Sequence, residues 1–510
     1  MSVYRLRVND VRHAVLRRLP TALAIGLFAL MAWAPVAAWL AVTVSSPAAE
    51  AWRLAVPDGR RLQVLGETVF YALGVAAAAS VIGSAAALYC WRRRSLLARA
   101  ADRMAVLALP FPPYLHALAW LPLLAVLPGG GAGWWSAGWV QTLAMLPIAF
   151  GLTRVAMARL DERWIEAARI YGDDRRLLVR VLVPMLAAPA LAGFSSVFLL
   201  TLVDPSAPSL FSCSAYPLEI FADFSARHDP ARALWMSTPL ILAGLLALEP
   251  VRRYWRALAQ RPARARRELA PLQLPVLGIG AALAVVPVLA LFAAVARQAW
   301  PPEAFGSALA LAWPDLWAST ASACAAAVII LPAAVVVSRY AVGGGAIGWW
   351  AIAAPLAAPG ALSGAGLIWL WNRDVLWTPY GTFWMLPLAA LARFAPLAVL
   401  AVAAWRSRLD PTLLEAARIY APPWRGFVRV ELPLLAPGLA AGAAIVFALS
   451  LAELPATVLV VPPGGGTLAL RLYNYLHYGA SGPVAVLSLC LMCGTASATW
   501  VAVWLWRRVP

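Results

Sequence analysis

Apolar runs of about 20 residues recur along the whole chain and alternate with short polar segments. A run of this length crosses the roughly 30 Å hydrocarbon core of a bilayer as one α-helix. The pattern therefore predicts an all-α polytopic membrane protein with about twelve transmembrane helices. The predicted spans lie near 21–43, 66–90, 104–127, 138–157, 186–204, 233–249, 275–297, 317–338, 347–371, 384–404, 436–455 and 483–506.

The composition agrees with this pattern, since 63% of the residues are hydrophobic and only 13% are charged. Soluble domains are about 45–50% apolar and about 25% charged. The formal net charge is +18, and all 41 basic residues are arginines. They concentrate in the N-terminal segment, in alternate loops and in the segment 251–272, as the positive-inside rule requires. We expect a bacterial inner-membrane protein with both termini in the cytoplasm, and no nucleic-acid partner.

One polar segment occurs twice. EAARIYGDDRRLLVRVLVPMLAAPALAG begins at Glu166 and EAARIYAPPWRGFVRVELPLLAPGLAAG begins at Glu415, with 15 of 28 positions identical at an interval of 249 residues. Such a repeat indicates a duplicated unit. We call the two copies the first and second island. Twelve spans place both on the cytoplasmic side, so we predict two parallel six-helix repeats, 1–250 and 273–510, joined by a basic cytoplasmic linker at 251–272.

Each island reads as a short helix, a break and a second helix. In the first island, Gly172 can supply the left-handed residue that ends a helix, and Asp173 and Asp174 can cap the next one. In the second island, Ala421 precedes two prolines, and the residue before a proline is driven out of the α region. Different residues thus predict the same break.

The EAA string, the break and the downstream Leu/Val-Pro resemble the EAA loop of ABC transporter permeases. The paired halves, the threonines Thr68 and Thr320 near the starts of matching spans, and the acids Asp204 and Glu453 look like the fused ferric-iron and thiamine type. The resemblance implies that each short helix docks into a cleft on a cytoplasmic ATPase, although Ala421 replaces the family glycine. The implied ATPase-coupling residues are Glu166, Ala167, Ala168, Gly172, Glu415, Ala416, Ala417 and Ala421.

The resemblance further implies the permease subunit of a binding-protein-dependent importer. Its partners would be two copies of a cytoplasmic ABC ATPase and a periplasmic substrate-binding protein. Ferric iron is the expected substrate, with thiamine, a phosphonate or a polyamine as alternatives. A Walker A loop needs a lysine, and this chain has none. We therefore expect ATP and Mg²⁺ on the partner ATPase, no cofactor on this chain and no enzymatic site.

Ionisable residues at membrane depth are candidates for a substrate path. Arg393 falls near the middle of the tenth span, and Asp204 and Glu453 end the fifth and eleventh spans. For the two acids, interfacial placement or a structural ion pair remains an open alternative. The histidines show no metal-ligand spacing, and the pair Cys490 and Cys493 lies in an apolar helix, so no metal site is predicted.

Two other classes of protein remain as alternatives. A secondary transporter can also have two six-helix halves, but it has no need of a repeated cytoplasmic docking helix. A membrane-embedded enzyme requires polar catalytic residues clustered at one depth, and the sequence shows no such cluster.

Overall fold

The computed structural model describes most of the chain. The described residues are 20–45, 47–93, 95–126, 131–160, 162–170, 172–259, 272, 274–298, 302–373, 379–410, 412–413, 415, 419, 422–478 and 481–508. Within them every regular element is a helix, which confirms the predicted all-α class.

The first half comprises helices α1 to α12. They are α1 (Pro20–Ser45), α2 (Ala48–Ala55), α3 (Gly59–Cys90), α4 (Leu96–Ala108), α5 (Pro113–Ala125), α6 (Trp134–Met157), α7 (Glu162–Ile170), α8 (Asp174–Leu202), α9 (Ser206–Leu210), α10 (Tyr216–Arg227), α11 (Pro230–Met236) and α12 (Thr238–Ala259).

The second half comprises helices α13 to α21. They are α13 (Leu277–Gln298), α14 (Pro302–Gly343), α15 (Gly345–Ala357), α16 (Gly360–Trp371), α17 (Met385–Arg406), α18 (Trp424–Leu451), α19 (Thr457–Val460), α20 (Leu468–Tyr478) and α21 (Ser481–Arg508).

About twelve membrane crossings result if bent helix pairs are counted as one crossing each. Among the described residues, nine helices are long and apolar enough to cross a bilayer alone. Three further crossings are bent pairs: α4 with α5, α11 with α12, and α15 with α16. The predicted number of spans therefore agrees with the structure, but the predicted shape of three spans does not.

The spans predicted at 104–127 and 347–371 as single helices are broken. The chain bends by 119° between α4 and α5 and by 95° between α15 and α16. At each break a proline lies in extended conformation just before the second helix: Pro112 has ψ 155° and Pro359 has ψ 156°. A proline donates no backbone hydrogen bond and disfavours the α region for its predecessor. A milder bend of 45° separates α11 from α12.

Helices α8 and α18 show the duplication most clearly. Both contain a π-helical turn, at Leu178–Leu182 and Phe427–Glu431, and both continue as regular α-helix for 20 residues. Pro184 and Pro433 follow these turns closely and cannot donate to the carbonyl one α-turn back. The wider π turn accommodates the missing hydrogen bond. The two spans thus repeat at the 249-residue interval in local geometry as well as in sequence.

The first helix of each half packs on the other half. Helix α1 contacts α16 and α17, and Trp33 Nε1 donates to the carbonyl of Ala351 at 2.8 Å. Helix α13 contacts α3, α4 and α5. Glycines permit this approach, since a Cβ added at Gly366 would lie 2.8 Å from Pro35 Cα. A Cβ at Gly280 would lie 2.8 Å from the backbone nitrogen of Ala86.

Candidate coupling and translocation sites

The first island is fastened to the bundle by one side of α7. Ile165 is fully buried and belongs to the same apolar cluster as Leu177. Glu166 and Ala168 are half-buried, whereas Ala167 is exposed. The residues around the EAA string therefore anchor the short helix on one side and leave its other side accessible.

The break in the first island is made partly as predicted. The backbone N–H of Arg176 donates to Asp173 Oδ1 at 3.0 Å, which confirms the predicted cap. Asp174 instead pairs with Arg169 at 3.4 Å. The prediction of a left-handed Gly172 is wrong, since its φ is not positive. A Cβ there would lie 3.1 Å from Arg176 Cδ, so a larger residue would require a small shift of the Arg176 side chain.

The second island begins at a cap of its own. The backbone N–H of Thr412 donates to Asp410 Oδ1 at 2.9 Å. Hydrogen bonds from the backbone and the side chain of Thr412 lower the pKa of Asp410. Glu415 is exposed. Three predicted coupling residues lie outside the described residues: Ala416, Ala417 and Ala421.

Both islands expose large apolar side chains at equivalent positions. Ile170 is 78% exposed and its counterpart Ile419 is 76% exposed. Six residues before these isoleucines, Trp164 is 66% exposed and its counterpart Leu413 is 51% exposed. The sequence interpretation stressed the alanines and missed these four residues. The repetition of apolar side chains within an otherwise polar segment was the available signal.

Ion pairs fasten the helices beside each island, but with different residues in the two halves. In the first half, Arg154 on α6 donates two hydrogen bonds to Asp102 on α4, at 2.9 and 3.0 Å. In the second half, Glu431 in the π turn accepts from Arg339 at 2.7 Å and from Arg406 at 2.9 Å. The second π turn is therefore tied to both α14 and α17.

The two islands lie at the same end of the bundle. Arg159 and Arg408, which precede α7 and the second island at equivalent positions, are close enough to interact electrostatically. Burial lowers the pKa of Arg159, Tyr254 opposes this, and the positive charge of Arg408 lowers it further. We call this end the island face and the other end the opposite face.

Asp204 ends α8 at the opposite face. Its Oδ1 accepts from the backbone N–H of Ser206 at 3.0 Å, and its Oδ2 accepts from the Ser206 hydroxyl at 3.0 Å. Gln141 Nε2 on α6 donates to the same Oδ2 at 3.1 Å. The acid therefore turns the chain from α8 into α9, and its side-chain partners are neutral.

Glu453 ends α18 at the equivalent position and forms a salt bridge with Arg393 of α17. The side chain of Glu453 is 3% exposed and that of Arg393 is 14% exposed. The Oε1 of Glu453 also accepts from the backbone N–H of Ala456 at 2.7 Å, just before α19. For Glu453, the structural ion pair left open by the sequence is thus observed.

Two hydrogen bonds join the halves close to the two acids, and we call the contact between the halves at Asp204, Arg393 and Glu453 the seam. The hydroxyl of Tyr114 on α5 donates to the carbonyl of Ala452 at 3.2 Å. The hydroxyls of Ser209 on α9 and Tyr473 on α20 lie 2.7 Å apart. Arg393, which pairs with Glu453, also attracts Asp204 electrostatically. Arg393 therefore lies within electrostatic range of both acids.

A hydroxyl at the start of one span in each half binds the helix that follows at the opposite face. Thr68 Oγ1 accepts from the backbone N–H of Tyr216 at 2.9 Å, and Ser319 Oγ accepts from that of Leu468 at 2.8 Å. In the second half the equivalent bond is therefore made by Ser319, the residue before Thr320.

The two helices bound by these hydroxyls, α10 and α20, which we call the peripheral helices, carry opposite charges in their ion pairs. On α10 the acid Glu219 pairs with Arg60 of α3 at 3.0 Å. On α20 the base Arg471 pairs with Asp315 of α14. Exchanging the two peripheral helices would bring together like charges, so each helix electrostatically favours its own half.

The residues suited to metal ligation are scattered. Within the described part of the chain, no group of three or more His, Cys, Asp or Glu side chains could hold a metal ion. His116 is buried and neither ring nitrogen has a hydrogen-bond partner. Cys490 and Cys493 are free, half-buried and exposed respectively.

Comparisons with known proteins agree with this architecture. Residues 79–212 and 374–509 each match the family described as the binding-protein-dependent transport system inner membrane component. Together the two matches cover more than half of the chain.

Individual relatives are more distant. A provisionally assigned 2-aminoethylphosphonate transport system permease of Salmonella paratyphi A is 28% identical over 142 residues, which are 28% of this chain and 53% of the relative. The putrescine transport system permease of Escherichia coli K12 is 28% identical over 208 residues, 38% of this chain and 71% of the relative. The molybdate/tungstate transport system permease of Thermococcus kodakarensis is 27% identical over 183 residues, 35% and 72%. The chain spans about half the length of the Salmonella relative.

The two family matches fall in the two halves that the repeated islands define, and each contains the acid that ends its span, Asp204 or Glu453. The chain therefore belongs to the binding-protein-dependent transport system inner membrane components, the permeases of ABC importers, and carries this permease domain twice.

Proposed function

We propose that this chain supplies both permease halves of one ABC importer, with the island face in the cytoplasm. Two copies of an ATPase dock on the islands and bind ATP and Mg²⁺, and a periplasmic binding protein delivers the substrate at the opposite face. The observation that carries the proposal is the matched exposure of Ile170 and Ile419. Two accessible apolar side chains at equivalent positions suit two identical partner surfaces.

The contacts of the islands support a mechanical role. In the first half, the capped turn at Asp173 leads directly into α8, which runs to Leu202, two residues before Asp204. In the second half, the π turn within α18 is held by Arg339 and Arg406, and α18 runs to Leu451, two residues before Glu453. A displacement of either island therefore moves the end of a span that carries a path candidate. We propose that closure of the ATPase pair draws the islands together and rocks the halves.

The resemblance to fused ferric-iron permeases favours ferric iron, with thiamine, a phosphonate or a polyamine as alternatives. The named substrates of the relatives, a phosphonate, putrescine and a metal oxyanion, support the importer class in general. The proposed limits are 1–250 and 273–510 for the halves and 251–272 for the linker.

The test is capture of the ABC ATPase subunit from the same genome on the immobilised chain in lipid nanodiscs. We expect Ile170→Asp and Ile419→Asp each to weaken capture at least tenfold, since a charge in an apolar contact loses about 1.4 kcal/mol or more. Leu96→Asp is the matched control, because Leu96 is 77% exposed near the island face but lies in neither island.

Equal capture by all variants would refute docking at the islands. Uptake that continues when ATP is depleted and the proton gradient is kept would favour a secondary transporter instead.

A further inference from the structure

The acids at the ends of α8 and α18 have unequal electrostatic surroundings. Glu453 is neutralised by Arg393 of α17. The residue at the equivalent position of α6 is Ala144, and the partner of Asp204 from that helix is the uncharged amide of Gln141. Among the described residues Asp204 has no salt-bridge partner. Two carboxylates and one guanidinium therefore leave one negative charge in excess.

The same place holds a buried acceptor that lacks a donor. Gln141 is fully buried, and its Oε1 has no hydrogen-bond partner. The orientation of the amide is set by chemistry, because its NH₂ group must face the carboxylate of Asp204. A buried acceptor without a donor costs about 1–3 kcal/mol. The site is therefore short of a donor as well as of a positive charge.

A second pair of polar atoms follows the repeat. One helical turn before each acid stands a hydroxyl, Thr201 before Asp204 and Ser450 before Glu453, and neither hydroxyl oxygen has a partner. The backbone N–H of Asp204 donates to the carbonyl of Thr201 at 3.3 Å, and that of Glu453 donates to the carbonyl of Ser450 at 3.3 Å, so one backbone turn joins each acid to its hydroxyl residue. Unsatisfied oxygens thus accompany both acids at the seam, on spans that begin at the islands.

We propose that the seam at Asp204 is a cation-selective binding site for the primary ammonium group of an organic amine. An ammonium carries one positive charge and three donors, which match the uncompensated charge of the Asp204 carboxylate, Gln141 Oε1 and the Thr201 hydroxyl. A dehydrated metal ion needs about six or more oxygen ligands, and the site supplies one carboxylate without a cationic partner. An anion would have to compete with Glu453 for Arg393. This inference rests on the proposed importer function and favours its amine-bearing substrates over ferric iron.

The test measures the thermal unfolding midpoint of the full chain in nanodiscs, with putrescine, n-butylamine, ferric citrate or molybdate as probes. A ligand that binds only the folded state raises this midpoint. We expect both amines to stabilise the wild type. Asp204→Asn keeps the shape of the side chain and removes its charge. It should raise the amine concentration needed for half-maximal stabilisation at least tenfold. Gln141→Met should weaken it less. Asp223→Asn, in an ion-paired carboxylate on α10, is the control and should respond like the wild type.

Three results would each contradict the proposed amine site. Retention of the full amine effect in Asp204→Asn, absence of any amine effect in the wild type, or stabilisation by molybdate or ferric citrate alone would each overturn the proposal. If Asp204→Asn fails to fold, Gln141→Met decides by the same criterion. ATPase capture by the wild type is measured separately, so failure of the importer proposal would appear there and not in amine binding.

Discussion

The salt bridge between Arg393 and Glu453 allows a quantitative prediction. Both side chains are buried among helices, so removing either partner leaves the other as an uncompensated charge. Glu453→Gln preserves shape and keeps an oxygen for the backbone N–H of Ala456. Arg393→Met preserves most of the side-chain stem. These two substitutions therefore isolate the charges from the packing.

Breaking a buried ion pair on one side costs about 3–5 kcal/mol, whereas replacing both charges by neutral groups of similar size is often close to neutral. We expect each single variant to lose stability in that range and the double variant to approach the wild type. The resulting coupling energy is then the sum of the two single losses, about 6 kcal/mol or more. The matched control is the exposed pair of Arg60 and Glu219, for which we expect a coupling of less than about 1 kcal/mol.

The measurement is the free energy of unfolding of all four chains in mixed micelles, followed by the fluorescence of the 25 tryptophans. The same cycle is measured with Arg60→Met and Glu219→Gln. Strict additivity of the Arg393 and Glu453 substitutions would contradict the ion pair. A coupling energy equal to that of the exposed control would contradict its burial.

Three further predictions concern packing, capping and polarity. Gly366→Leu should destabilise the chain by about 1–3 kcal/mol or more through collision with α1, whereas Gly74→Leu, which has open space around it, should change the unfolding midpoint little. The pKa of Asp410 is lowered in the folded chain, so its helix cap is fully formed above pH 3.8, the ordinary pKa, and is lost only as the pH falls through the lower pKa of the folded state. An NMR titration midpoint at or above pH 3.8 would contradict this. Arg471→Glu should lower the unfolding midpoint by opposing Asp315, and Asp315→Arg in the same chain should restore it.

The duplication, the helical class and the first island's cap were predictable because they depend on local patterns. The breaks before α5 and α16 were not, because proline alone does not distinguish them. Helices α6 and α17 each carry an interior proline and stay continuous. What differs is the crowding of prolines at 110–113 and 355–359, which a search for apolar length overlooks.

The polar seam was only half predictable. Asp204, Arg393 and Glu453 stand out in a sequence because charges are rare at membrane depth. Their pairing depends on how two spans lie against each other, which no local pattern contains. Gln141 drew no attention because an amide carries no charge, yet it is the side chain of α6 that binds Asp204.

The crossed packing of α1 has a consequence for biosynthesis. Its partner α16 lies more than 300 residues downstream, which at about 5–20 residues per second means a delay on the order of 15–60 s. During that interval the indole of Trp33 has no carbonyl from Ala351, and the face of α1 destined for α16 meets lipid. Assembly therefore includes a step that joins α1 to a helix that is synthesised much later. Cleavage between the two halves after assembly would therefore yield two fragments that stay bound to each other through α1 and α13.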